Sequence, residues 1–74
     1  MSASGDPERA LEATDAAVRL DPKLGIAHYN RASALVALGE RARARGDLEA
    51  IFRADSNRRL KQAAQEALES LEKG

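Results

Sequence analysis

Along the C-terminal quarter of the chain, apolar residues recur every three or four positions, at Leu60, Ala63, Ala64, Ala67, Leu68 and Leu71, with charged and amide residues between them. That spacing lines up one face of an α-helix and predicts a helix over residues 57–72. The rest of the chain has the same texture. Its apolar positions are mostly Ala and Leu rather than β-branched or aromatic residues, which favours helix over strand. A first helix is predicted over residues 6–20, with Asp6 as N-cap, Pro7 in the first helical position, Glu8 in the first turn and Pro22 barring continuation. A second covers 25–38 and stops at Gly39, which suits a left-handed C-terminal cap. A third covers 40–54 and gives way at Asp55, Ser56 and Asn57. Gly46 lies inside it at a cost of about 1 kcal/mol relative to Ala, and is read as a point of close helix approach. Residues 1–5 carry no periodic pattern and are expected to form a flexible N-terminus to a single domain spanning 1–74.

Shifting the sequence by 34 residues lays residues 5–22 on residues 39–56. Gly5/Gly39, Arg9/Arg43, Ala10/Ala44, Ala16/Ala50, Arg19/Arg53 and Asp21/Asp55 are identical, and Asp6/Glu40, Asp15/Glu49 and Val18/Phe52 are chemically similar. Helices 1 and 3 are therefore two copies of one unit. Two helices in each 34-residue period is the spacing of a solenoid of stacked helical hairpins. Ala10, Ala17, Ala32 and Ala44 fall where paired helices approach closely, and small side chains there keep the axes within about 8–10 Å.

In this register the chain resembles the tetratricopeptide repeat family, whose pattern runs W-x2-L-G-x2-Y, then A-x3-F, then P. The second half of the pattern falls on Ala10, Thr14 and Pro22, and again on Ala44, Leu48 and Ser56; the first half falls on His28, Arg31, Ala32 and Leu35. His28, Leu35, Thr14 and Leu48 occupy its large-aromatic positions. The resemblance implies an all-α fold of four helices, in antiparallel hairpins with tetratricopeptide-like α-solenoid stacking. It assigns Ala10, Thr14, Ala17, Pro22, His28, Ala32, Leu35, Ala44, Leu48 and Ile51 to packing within and between repeats. Helix 1 takes the register of a second helix with no first helix before it. Helix 4 takes that of a first helix, but Glu66 stands where the family places a small residue, so helix 4 reads as a terminal cap solvated by Glu66, Glu69, Glu72 and Lys73. About one and a half repeats fall short of the roughly three needed for independent stability. Two remedies are open: a second copy covering the helix 1 face, or a longer array of which this is the C-terminal end.

Composition narrows the chemistry. With 12 Lys+Arg against 12 Asp+Glu, no Cys and one His, the chain has no disulfide or thiolate chemistry, no Cys-ligated zinc and no multi-histidine metal site. No cofactor and no metal are expected, and paired carboxylates or a phosphate-binding glycine loop are not evident. His28 and Ser33 lie about 140° apart around a helix and cannot share a proton, so no catalytic residue and no enzymatic activity are expected. From Arg41 to Lys61 seven basic residues face three acidic ones (Asp47, Glu49, Asp55), read as a solvated surface with Glu49 pairing to Arg45 and Arg53. With Phe52 the single aromatic there, the stretch has no series of stacking platforms for bases, which argues against a nucleic-acid partner. The longest apolar run, Ala34 to Leu38, is too short to span a bilayer, and no targeting segment follows Met1, so a cytoplasmic protein without membrane contact is expected.

In the family, first helices line a concave groove that binds peptides or helices. On helix 2, Ile26, Tyr29, Asn30, Ser33 and Ala37 share a face and form the candidate groove, with packing against a neighbouring repeat as the competing role. Asn30 matches the groove asparagine of members that clamp a C-terminal carboxylate. The basic positions that complete such a clamp are Leu60 and Ala64 here, which argues against that ligand. The expected function is a protein-interaction module binding a peptide or helix of a partner. The alternative is a structural module that self-associates, as a homodimer, through the helix 1 face.

Overall fold

A computed structural model describes residues 6–54 and 56–73. The helices expected from the sequence are present as four elements: α1 (Pro7–Leu20), α2 (Gly25–Ala37), α3 (Arg41–Ile51) and α4 (Arg58–Lys73). The fold is all-α, and its helices stack as hairpins in the manner of an α-solenoid: α2 packs on α1 and α3, and α4 packs on α3 and more lightly on α2. Among the described helices α1 touches α2 alone. Both odd helices open on the same register, since 41 − 7 = 34. The expectation of a flexible segment at residues 1–5, the Gly5/Gly39 and Asp21/Asp55 pairs and the helix stop at Asp55 involve positions outside the described residues.

Local chemistry sets the boundaries. The Asp6 carboxylate accepts from the Glu8 amide at 3.1 Å and caps α1, with Pro7 in its first turn. Gly39 has φ of 81°, the left-handed conformation that lets the chain reverse after α2. α3 ends at Ile51, three residues short of the predicted 54, because the Phe52, Arg53 and Ala54 amides turn back to carbonyls only three residues earlier. Ser56 Oγ then donates to the Ile51 carbonyl at 2.9 Å, and Asn57 Oδ1 accepts from the Leu60 amide at 2.8 Å to cap α4.

The core is assembled where α2, α3 and α4 meet. Ala32 and Leu35 of α2 pack with Ala44, Leu48 and Ile51 of α3 and Ala64 of α4, ringed by Leu11, Tyr29, Leu60, Ala67, Leu68 and Leu71. All six periodic residues of α4 are buried or half-buried, while Glu66, Glu69, Glu72 and Lys73 are exposed. Arg41 Nη2 donates to the Leu71 carbonyl at 2.6 Å, joining the start of α3 to the end of α4.

The close-approach reading of Gly46 is corrected by this packing. It is exposed, and a Cβ added there meets nothing within 4 Å among the described residues. The tight glycine is Gly25, at the start of α2, where an added Cβ would collide with Ser56 Oγ and approach the Leu60 side chain to 2.9 Å.

Candidate functional site

α2 is the central element, and a polar cluster fixes its position. Arg31 Nε donates to Asp47 Oδ2 at 2.8 Å and Nη2 to Asp47 Oδ1 at 2.6 Å, a two-pronged pairing to α3. Its Nη1 donates to Asp15 Oδ1 of α1 at 3.2 Å. One guanidinium therefore ties three helices together. The hydrogen bond to Asp47 holds Arg31 above its ordinary pKa, burial opposes this, and the charges of Asp47 and Asp15 reinforce it. His28 Nε2–H donates to the Pro22 carbonyl at 2.8 Å, and its Nδ1 lies 3.4 Å from Asp47 Oδ1. Among the described residues no buried side-chain nitrogen or oxygen lacks a partner.

The seven basic residues of the Arg41–Lys61 stretch are exposed, as expected, and this cluster corrects the surface reading at Asp47. Asp47 is only 6% exposed and belongs to the interior. Glu49 forms no ion pair with Arg45 or Arg53, whereas residues far apart in sequence pair instead. The signal for Asp47 was present but faint: an acidic residue in an Arg-rich helix, one turn after buried Ala44 and next to buried Leu48.

The five candidate groove residues divide between two sides of α2. Asn30, Ser33 and Ala37 join Ala34 and, across from them on α1, Pro7, Ala10, Ala13 and Thr14, in an open groove of about 480 Å³. Ile26 instead faces the start of α4, in a separate recess of about 410 Å³ with Asn57, Arg59, Leu60 and Ala63. Ser33 also borders a third recess with Val36, Ala67, Ser70 and Leu71, toward the end of α4. Tyr29 is half-buried against the core cluster. One face of α2 thus serves two grooves because α1 and α4 flank it on opposite sides. Asn30 opens toward α1, away from Leu60 and Ala64.

The packing residues sort by the same geometry. His28, Ala32, Leu35, Ala44, Leu48 and Ile51 are buried, and Thr14 and Ala17 are half-buried. Ala10 and Pro22 are exposed. Ala10 meets the open groove rather than a helix, and Pro22 contributes its carbonyl to His28.

The α1–α2 groove is nearly apolar, because its hydroxyls are spent on their own helices. Thr14 Oγ1 donates to the Ala10 carbonyl at 2.8 Å, and Ser33 Oγ to the Tyr29 carbonyl at 3.2 Å. Asn30 adds an amide that makes no side-chain hydrogen bond among the described residues. Among the described residues no group of three or more His, Asp or Glu side chains is placed to hold a metal ion, and no helix is long and apolar enough to cross a membrane. No protein-family model, curated protein or solved structure matches the chain.

Proposed function

We propose that this chain is a tetratricopeptide-like protein-interaction module that receives a helical segment of a partner along α2, in the groove it forms with α1. The observation that carries this reading is the groove itself: a long trough between two helices, apolar, built on rigid elements and open along its length. Sequence reading put binding on the concave face of α2; the recesses toward α4 hold Ile26 and Ser33 but are smaller, at about 410 and 270 Å³, and separate from each other. The reading includes no catalysis. His28, the single imidazole, is engaged by Pro22 and Asp47, and Ser33 donates to its own helix.

Self-association is the second reading, favoured by the fact that among the described helices α1 packs on α2 alone. Selection of a displayed peptide library on the full chain, followed by amide chemical-shift mapping of a selected peptide, tests both. Amphipathic helical sequences that shift Ala10, Ala13, Asn30 and Ala37 support partner capture. Shifts confined to Ile26, Val36 and Leu60 would move the site to the α4 side. A chain that dimerises through α1 before any peptide is added would favour self-association.

A further inference from the structure

The groove residues have counterparts one period along the chain, and those counterparts are covered. Adding 34 to Ala10, Thr14, Asn30, Ser33, Ala34 and Ala37 gives Ala44, Leu48, Ala64, Ala67, Leu68 and Leu71, every one a member of the core cluster or packed against it. Ala13 maps in the same way onto Asp47. In the second unit these residues form the seat on which α2 lies. The open groove is therefore the first-unit copy of a helix seat, continuous with the filled one because α2 is the occupant of one and a wall of the other.

The two seats differ in what they demand. Where the filled seat has Leu48, Leu68 and Leu71, the open one has Thr14, Ala34 and Ala37, so it is roomier. Where Asp47 receives Arg31 from the seated helix, the open seat has Ala13 and offers no carboxylate. Resting on the reading of the groove as a helix-binding site, we infer that its occupant is an amphipathic helix of a separate protein. Its seated stripe carries large aliphatic or aromatic side chains at i, i+4 and i+7, with no charge at the centre. Large side chains fill the space left by the three missing leucines, and a central Arg would be buried without a partner. A second copy of this chain does not display such a stripe among its described residues, because its exposed large apolar residues, Leu20, Leu24, Ile26, Val36 and Phe52, are dispersed over helix ends and α2 rather than spaced at i, i+4 and i+7 on one helix. The outward residues of α4 include Gln62, Gln65, Glu66 and Glu69, those of α3 include Arg41, Arg43, Arg45 and Glu49, and the free side of α1 is itself lined by small residues.

The test uses the full ¹⁵N-labelled chain and three stapled helical peptides of about fourteen residues, alike except for Leu, Ala, or Leu with a central Arg along the seated stripe. The Leu peptide is expected to shift the amides of Ala10, Ala13, Asn30 and Ala37, and to bind at least about tenfold more tightly than either of the others. In the variant Thr14→Leu/Ala37→Leu, which rebuilds part of the filled seat at two positions that are not fully buried, the preference should invert toward the Ala peptide. Equal binding of the Leu and Ala peptides at the groove would overturn the size requirement and leave helix capture standing. Absence of any groove shift with all three, while the chain stays folded by circular dichroism, would overturn helix capture as well. Concentration-dependent groove shifts in the chain alone would replace the partner by a second copy.

Discussion

Two seats of the same register lie side by side in this small molecule, and only one is filled. In the second unit, α3 and α4 enclose the buried face of α2, so that Leu48 and Ile51 become almost inaccessible and Asp47 exchanges water for Arg31. In the first unit, α1 and α2 present the corresponding positions to solvent, and these carry Thr14, Ala13 and Ala37. A register repeated along the chain thus does not guarantee a repeated environment. What each copy contributes to stability depends on whether a helix lies on it, because burial rather than residue type produces most of the hydrophobic gain.

Paired substitutions at matched positions sharpen this contrast. The largest effect is expected for Leu48→Ala, which empties the filled seat and should cost about 2–5 kcal/mol in chemical denaturation. Its counterpart Thr14→Ala should change stability by no more than about 0.5 kcal/mol. Equal losses at the two positions would mean that the first seat is covered as well. Next, Asp47→Ala removes the two-pronged partner of half-buried Arg31 and the carboxylate beside buried His28, leaving Arg31 only its bond to Asp15 and His28 only the Pro22 carbonyl. A loss of about 2–4 kcal/mol is expected, the lower part of that range reflecting the partial exposure of Arg31. Since a 74-residue domain has on the order of 4–11 kcal/mol in total, helicity measured at 25 °C should already fall. The matched change, Ala13→Asp, should leave the unfolding midpoint almost unmoved.

The glycines give smaller effects of opposite sign. Gly25→Ala drives a methyl into Ser56 and Leu60, and should destabilise by about 1–3 kcal/mol. Gly46→Ala adds its methyl in open space on a helix surface, where the counterpart in α1 is exposed Glu12, and should stabilise by about 0.5–1 kcal/mol. A thermal melt distinguishes the two directly. If Gly46→Ala also destabilised, some contact on that side of α3 would have to be added to the description.

Much of the fold was legible because its signals are local. Asp6, Pro7 and Gly39 act within a turn of where they stand, and the α4 stripe needs only the helical period to declare its buried face. The site was less legible. Helical spacing put the candidate residues of α2 on one face, yet sequence periodicity could not say that two neighbours would divide that face, placing Asn30 beside α1 and Ile26 beside α4. Gly46 and Asp47 are adjacent and show the same limit. A helical wheel assigns them directions, but not which direction holds another helix.

The sequence by itself determined four helices, their order and a 34-residue register, because capping, proline stops and apolar spacing are properties of the chain within a few residues. Tertiary structure alone decided which copy of the register became core and which remained a groove. It also decided that Asp47 would be an interior ion-pair partner and that Gly25, not Gly46, would be the point of closest approach. Those outcomes depend on contacts between residues 16 to 35 positions apart, such as Arg31 with Asp47 and Gly25 with Leu60, and such contacts exist only once the helices have packed.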